Sequence, residues 1–492
     1  MAKHARVQTA EQRERLTRNR NLLLSVLSGA TKHPDDSIQT AGLSLALERF
    51  AINRANGRTV PYEGAFGMES ILRELSQTYR GDVVDGHLVG LDGILTIEGA
   101  EAPIEVRASL GIGSQLRLEV GPATSVTTLL DAIRVFDRHF HLACKTLSLD
   151  LELLARGCNP EPSSPSDIVP VPLSRNVLIN AHYSRTGRYA REAMRCTAGT
   201  DVLLPINTDA DGATDDYRLA SALAPLLAFA TDNSLTMRDS DPYQTPRMLR
   251  ALVCHDLDAS RTGIPTGTFL PEFGFETYLR WVEDTQPIYF TGANGVTFST
   301  GSDTGARVME ERDLSEPEAR RLLQSVLPDV RWNGRLELRM ADSLPIHLAG
   351  AYAALIKGLY ASPQTKAAVG ELLGINRLDR VMVMHAWDEL RALGWDARIY
   401  DRPVGQIIHE LASIASHALD VRDERRMLDG LAQLWDVRYV PRDTLLRNWE
   451  RTRERSSEEV AVELYGEGAV IPYDELGGEP PAGQTATLPI IR

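Results

Sequence analysis

The stretch Arg335-Leu336-Glu337-Leu338-Arg339-Met340-Ala341-Asp342 alternates charged with apolar residues and predicts a β-strand with two unlike faces. A half-buried strand usually turns its polar face to water, so an exposed strand with solvated charges is one interpretation. The other is a binding site. Glu337 offers hard oxygen ligands to a metal ion, and Arg339, two residues along, offers a forked donor to phosphate oxygens. The strand alone leaves both interpretations open.

Size and charge restrict the class of protein. The chain has 492 residues, with 43% hydrophobic and 24% charged residues, as in ordinary globular proteins with a large core. The formal charge of −14 repels nucleic acid and anionic membranes, and we expect neither as a partner. Basic residues concentrate only in residues 1–33, where the leucine spacing predicts an amphipathic helix. A helix docked on the rest of the chain is favoured over a nucleic-acid arm.

The sequence shows neither a recognisable targeting signal nor a closely spaced pair of cysteines. The first twenty residues are polar and lack the apolar segment of a signal peptide, and the most apolar stretch, residues 221–231, is too short to span a membrane. The four cysteines are scattered, which indicates neither a disulfide framework nor a zinc site: Cys144, Cys158, Cys196 and Cys254. The sequence therefore predicts a cytoplasmic protein with reduced thiols.

Long helical patterns separate the predicted strands without a regular βαβ rhythm. Strands are predicted at 38–53, in a series over 87–122, and at 201–207. Helices are predicted at 67–80, 126–156, 188–200, 216–231, 315–327, 348–360, 381–393 and, as a pair, within 405–434. Five prolines make residues 157–173 a crossing loop. This arrangement favours an α+β fold with an antiparallel sheet.

Four blocks between about residues 183 and 360 resemble, in order and spacing, a known family. They are Gly187-Arg188-Tyr189, then Asp256-Leu-Asp-Ala-Ser-Arg261-Thr-Gly263, then Phe273-Gly-Phe-Glu-Thr-Tyr278, and finally Leu336-Glu-Leu-Arg339-Met-Ala-Asp342. Together they are similar to the plant and proteobacterial type of glutamate–cysteine ligase, one of the glutamine synthetase-like carboxylate–amine ligases. Weaker matches lie around Glu48, at Pro61-Tyr62-Glu63-Gly64, and over residues 109–119, which end at Glu119.

The resemblance implies a cupped antiparallel sheet flanked by helices that binds ATP and Mg²⁺. Such a ligase, which serves glutathione biosynthesis, phosphorylates the side-chain carboxylate of glutamate, and an amine such as that of cysteine attacks the acyl phosphate. By the family's pattern Glu48, Glu119 and Glu337 would hold metal, Arg339 the transferring phosphate, Arg261 the substrate carboxylate or the phosphate, and Arg188 the nucleotide. The implied organisation is a basic helical segment (1–37), a ligase-like domain (38–400), a helical segment (401–465) and an acidic tail (466–492).

The sequence also departs from the family's pattern. Ala46 and Gly113 stand where the family has glutamates, which removes part of the expected metal shell. Two alternatives to a glutamate–cysteine ligase therefore stay open. One is a protein that has lost catalysis and acts as a binding or regulatory partner. The other is a ligase for a specialised metabolite that uses a different acid or amine. Assembly into a homo-oligomer also stays open.

Overall fold

A computed structural model describes residues 8–29, 42–160, 167–207, 209–235, 242–292 and 294–452 of the protein. The strands are β1 Leu43–Asn53, β2 Arg80–Val84, β3 His87–Leu95, β4 Ile104–Leu110, β5 Leu116–Ala123, β6 Leu151–Leu154, β7 Gly199–Pro205, β8 Thr262–Gly263, β9 Tyr289–Thr291, β10 Thr297–Ser299, β11 Leu327–Pro328, β12 Val330–Trp332, β13 Arg335–Asp342, β14 Arg398–Ile399 and β15 Arg402–Pro403.

Helices account for most of the remaining described chain. They are α1 Ala10–Leu27, α2 Met68–Leu75, α3 Val126–Thr146, α4 Ser174–Thr186, α5 Ala190–Arg195, α6 Ala210–Ala230, α7 Leu249–His255, α8 Phe275–Asp284, α9 Gly305–Glu311, α10 Glu316–Leu323, α11 Ile346–Leu359, α12 Pro363–Leu373, α13 Arg380–Leu393, α14 Val404–Ala418, α15 Arg422–Asp436 and α16 Pro441–Thr452.

One large sheet organises the described residues. Its strands follow the order β12-β13-β7-β1-β5-β4-β3-β2, with β6 paired to β1. Every pairing within this sheet is antiparallel. The predicted α+β fold, a large antiparallel sheet flanked by helices, is confirmed. Strands distant in sequence, such as β13 and β7, lie side by side, so the sheet assembles polar residues that local patterns cannot relate.

The two faces of the sheet differ as the alternation predicts. Leu336, Leu338 and Met340 of β13 belong to the main hydrophobic core, and so do Leu45 and Leu47 of β1. Helices α3, α6 and α11 pack against strands of the sheet. Arg335, Glu337 and Arg339 of β13 therefore project from the other face, where Glu48 of β1 also lies, two residues from Ala46.

A buried ion pair fixes β1 to the helix beneath it. Arg49 donates from both terminal nitrogens to the two carboxylate oxygens of Asp137 on α3, at 2.6 Å each. Both side chains are almost completely buried. Because neighbouring strand residues point to opposite faces, this anchor on the core side holds Glu48 on the polar side.

The N-terminal helix is docked on the rest of the chain. Its guanidinium groups pair with acidic residues far along the sequence: Arg18 with Asp313, and Arg20 with Glu276 and Glu283. Leu23 and Leu27 enter the main core. The docked-helix interpretation is confirmed. A basic face exposed only to water, which that interpretation included, is wrong, because Arg18 and Arg20 pair with acidic residues of the same chain.

Two predicted helices differ most from their observed extents. The helix predicted over 126–156 ends at Thr146, and Leu151–Leu154 instead forms β6, whose four buried residues pair with the last four residues of β1. The helix predicted over 188–200 covers only Ala190–Arg195, because the backbone from Gly199 already pairs with β13. The predicted strand over 38–53 begins, within the described residues, at Leu43.

The division into four segments stays a prediction. One hydrophobic core includes residues of α1 and of α15, so the first three predicted segments pack together. The acidic tail, residues 466–492, lies outside the described residues. No described helix is both long enough and apolar enough to cross a membrane. The four cysteines are free thiols.

Candidate active site

The polar face of the sheet is a covered surface. Glu337 is only 6% exposed, and Arg335 and Arg339 are half-buried. Helix α7 covers this region, and Arg250 from that helix donates to the backbone carbonyl of Arg339. The interpretation as a strand with solvated charges is wrong, since a charged row this deeply buried needs internal partners.

Arg117 on β5 joins carboxylates from three strands. Its Nη1 lies 2.5 Å from Oδ2 of Asp201 on β7 and 3.5 Å from Oε1 of Glu48 on β1. Its Nη2 lies 3.6 Å from Oε2 of Glu119, two residues along its own strand. Burial alone would lower the pKa of Arg117, but the three carboxylates raise it above its usual value. This arginine carries a permanent charge at the centre of the face.

Glu119 lies between arginines. Besides Arg117, it accepts a hydrogen bond at 2.8 Å from Arg335 on β13. Burial would raise the pKa of Glu119, but Arg335, Arg117 and Arg107 outweigh that effect and lower it. The same balance lowers the pKa of Asp201, where Arg117 and Arg339 oppose burial. Both side chains are therefore ionised at neutral pH.

Glu337 has a different partner. Its Oε2 lies 3.4 Å from Nη1 of Arg331 on β12, and both side chains are buried. Burial lowers the pKa of Arg331, and the neighbouring Arg339 lowers it further. Positive charge is thus crowded at this edge of the sheet, and an anion bound there relieves the repulsion.

A cavity of about 360 Å³ opens onto this face. Its charged lining includes Glu48, Arg117, Arg250 and Arg339. Helices α5 and α7 and the turn between β4 and β5 supply other walls. A concave space with a few convergent polar groups is the usual form of a small-molecule site, and here the excess of guanidinium groups favours an anionic ligand.

A histidine–aspartate pair lines the same cavity. Nε2 of His255, at the end of α7, lies 2.8 Å from Oδ1 of Asp329, and the ring packs edge-on against Trp387 at 4.8 Å. The backbone N–H of Arg339 donates to the carbonyl of Asp329, which ties the pair to β13. When the carboxylate accepts from Nε2–H, Nδ1 is left as the basic nitrogen of the ring. The pair is therefore suited to accept a proton.

Arg261 lies away from the cavity lining. Its side chain is 2% exposed, its Nε donates to Asp258 at 2.8 Å, and its Nη1 donates to the carbonyl of Ser325 at 3.1 Å. His182 also contacts Asp258, at 2.9 Å. These contacts bind three segments of chain together and favour a structural role. The predicted contact of Arg261 with substrate stays a prediction.

Arg188 lies on the surface with its side chain 83% exposed. Its backbone N–H donates to Asp256 at 2.6 Å, so the first two matching blocks of the sequence contact each other through the main chain. Gly187 allows that approach, because a Cβ there would stand 2.6 Å from the carbonyl oxygen of Asp256. The predicted nucleotide contact of Arg188 stays a prediction.

The predicted metal ligands share the polar face without forming a metal cage. Among the described residues, no group of three or more His, Cys, Asp or Glu side chains is arranged to hold a metal ion. Glu48 and Glu119 face the guanidinium of Arg117, and Glu337 faces Arg331. These residues do not fit a resident ion held by protein ligands alone. Mg²⁺ bound mainly by substrate phosphates needs only one or two carboxylates, and its binding here stays a prediction.

Sequence reasoning missed Arg117, Asp201, Arg250, His255 and Asp329. One signal was available locally, because Arg117 and Glu119 are two apart on a predicted strand and must share a face. His255 directly precedes one of the matching blocks. The position of Asp201 opposite Ala46 depends on strand register, which no local pattern gives.

Comparisons with known proteins identify the family of the chain. The model of glutamate-cysteine ligase family 2 matches residues 47–445. The chain is 23% identical over 430 residues to the chloroplastic glutamate–cysteine ligase of Medicago truncatula, covering 85% of this chain and 80% of that protein. It is 23% identical over 435 residues to the chloroplastic glutamate–cysteine ligase B of Oryza sativa subsp. japonica, covering 85% and 82%. The cytoplasmic location of this chain stays a prediction. The chain belongs to glutamate-cysteine ligase family 2.

Proposed function

We propose that the protein is an ATP-dependent carboxylate–amine ligase that activates the side-chain carboxylate of glutamate or a related amino acid. The observation that carries the proposal is the convergence of Arg117, Arg250 and Arg339 on one cavity of about 360 Å³ at the covered sheet face. Fixed guanidinium groups in a water-poor cleft stabilise the charge that spreads over phosphoryl oxygens during transfer. Membership of the family and the names of both relatives support the same reaction.

The first chemical step forms an acyl phosphate. A carboxylate oxygen of the amino acid attacks the γ-phosphorus of ATP, the bond from that phosphorus to the β–γ bridging oxygen breaks, and ADP leaves. Arg339 would hold the transferring oxygens, since its side chain lines the cavity and Arg331 adds positive charge beside it. Glu48 and Glu337 on this face would be the carboxylates that hold Mg²⁺ brought in with the nucleotide, and the ion would supply charge neutralisation of the phosphate oxygens.

The second step forms the amide. The amine nitrogen attacks the acyl carbon, the carbon–oxygen bond to phosphate breaks, and inorganic phosphate leaves. The attacking nitrogen must also lose a proton. We assign its acceptance to His255, whose ring lines the cavity and is oriented by Asp329 at 2.8 Å.

A binding or regulatory protein is the second candidate. The pairing of Glu48 and Glu119 with Arg117 favours it, because carboxylates neutralised by an arginine are less available to a metal ion. A ligase that uses another acid or amine is the third. The second candidate would release no ADP, and the third would form an amide other than γ-glutamylcysteine.

One assay separates the three. Purified protein is incubated with ATP, Mg²⁺ and a panel of amino acids and amines, and ADP release is followed together with amide products by mass spectrometry. Release of ADP with γ-glutamylcysteine as product supports the proposal. A different amide would identify the specialised ligase, and nucleotide binding without ADP release would favour the regulatory protein.

A further inference from the structure

A single guanidinium group fills the space that three carboxylates share on the polar face. The guanidinium nitrogens of Arg117 lie 2.5 Å from Asp201 on β7, 3.5 Å from Glu48 on β1 and 3.6 Å from Glu119 on the same strand as Arg117. Strand β1 lies between β5 and β7, so the arginine spans three neighbouring strands. A side chain that crosses β1 in this way needs a small residue on β1 at the crossing point.

Ala46 supplies that gap. It stands opposite Glu119 in the β1–β5 register and opposite Asp201 in the β1–β7 register. It is fully buried, and it lies on the same face as Glu48. Its methyl group leaves room above β1 for the long side chain of Arg117 to pass. A larger residue at position 46 would stand between Arg117 and Asp201.

The three carboxylates require a cation. The side chains of Glu48, Glu119 and Asp201 are 31%, 18% and 6% exposed, so their charges have lost much of their hydration. Buried carboxylates are stable only when a cation or several hydrogen bonds compensate them. A divalent ion would do this at metal–oxygen distances of about 2.1 Å. At the position of the Arg117 Nη1 atom, such an ion would need the Glu48 oxygen, now 3.5 Å away, to move about 1.4 Å closer.

We infer that Arg117 takes the place of a protein-held divalent cation on this face. The nucleotide-free protein then holds no metal among Glu48, Glu119 and Asp201, and any divalent ion that takes part in catalysis enters with the nucleotide. This inference deepens the proposed function. Its test needs no nucleotide and no turnover, so a failed ligase assay would leave it standing.

The test removes the guanidinium and measures metal binding directly. Mn²⁺ is titrated into nucleotide-free protein and followed by electron paramagnetic resonance and by thermal unfolding. The wild type should show no Mn²⁺ bound at this face, while Arg117→Met should bind one Mn²⁺, with an affinity at least about tenfold above any residual binding by the wild type. Arg335→Met is the matched control, because it removes another arginine from Glu119 and leaves Arg117 in place. The double variant Arg117→Met with Asp201→Asn should lose the ion again.

Arg117→Gln is a second variant for the case that Arg117→Met does not fold, since glutamine removes the charge and keeps a hydrogen-bond donor. Mn²⁺ should raise the melting temperature of Arg117→Gln and leave that of the wild type unchanged. Two results would overturn the inference. One is an ion already bound by the nucleotide-free wild type and lost in Glu48→Gln. The other is the absence of any Mn²⁺ effect in both Arg117 variants.

Discussion

The guanidinium of Arg117 on β5 lies 2.5 Å from the carboxylate of Asp201 on β7, across the intervening strand β1. The contact exists because Ala46, opposite both Glu119 and Asp201, leaves the crossing open. It links the three central strands on their polar face, while the Arg49–Asp137 pair links β1 to α3 on the other. The cavity that we assign to catalysis is therefore bounded by side chains fixed before any ligand binds, which is what electrostatic stabilisation of a transition state requires.

Arg339→Ala should abolish turnover with little effect on the fold. The side chain is half-buried at the cavity and donates to the carbonyl of Pro328 at 3.2 Å, so its loss removes few structural contacts. Loss of a fixed donor to transferring phosphate should lower ADP release by about 10²–10³-fold. Arg134→Ala, on the exposed side of α3, is the control and should leave both rate and melting temperature unchanged. Wild-type rates in Arg339→Ala would refute the assigned role.

His255→Gln should slow amide formation more than phosphoryl transfer. Loss of a general base typically lowers the rate of its step by about 10²–10⁴-fold. Formation of the acyl phosphate does not need that base, so trapping with hydroxylamine should still yield hydroxamate and ADP. Asp329→Asn should show the same split, more weakly, because Asp329 only orients the ring. An equal fall of hydroxamate and amide in His255→Gln would assign the residue to structure instead.

Asp137→Ala should destabilise the fold by about 3–5 kcal/mol, because it leaves the guanidinium of Arg49 buried without its carboxylate. Urea unfolding measures this free energy. Asp131→Ala, which breaks an exposed pair on the same helix, should cost less than about 1 kcal/mol. A similar cost for both variants would show that the buried pair does not anchor β1.

Asp232→Asn should flatten the pH dependence of stability between about pH 4 and pH 7. Burial, and then the neighbouring Asp342, raise the pKa of Asp232 to about 7. Its carboxylate accepts hydrogen bonds from the backbone of Ser234 and Met248. Because the folded-state pKa lies above the unfolded value, the unfolded chain releases this proton first as pH rises. Stability contributed by the group is then full below pH 4 and is lost towards pH 7, with a slope of at most about 1.4 kcal/mol per pH unit.

The measurement for Asp232 is the free energy of unfolding in urea at several pH values. Asp131→Asn, on an exposed helix face, is the matched control and should keep the wild-type slope. Asp232→Asn loses one hydrogen-bond acceptor and should be less stable than the wild type at low pH. The comparison therefore concerns only the slope of the unfolding free energy against pH. Parallel curves for wild type and Asp232→Asn would contradict the prediction.

Local patterns predicted the strand that carries Glu337 and Arg339, since an alternation over eight residues needs no information from elsewhere. They failed at Leu151–Leu154, where the apolar run continues a helical pattern and only the edge of β1 turns it into a strand. The structure brings the predicted site residues Glu48, Glu119 and Arg339 to one face of the sheet, and their roles stay predictions. The arginine among the carboxylates was missed, because its contacts depend on the register of three strands separated by many residues of sequence.

Amino-acid-dependent release of ADP tests the central claim most directly. Wild-type protein and Arg339→Ala are compared with ATP and Mg²⁺, with glutamate and cysteine first and then with a panel of acids and amines. The account predicts ADP release that requires both an acid and an amine, one amide formed per ADP, and loss of both products in Arg339→Ala. Absence of nucleotide binding and of ADP release across the whole panel would contradict it.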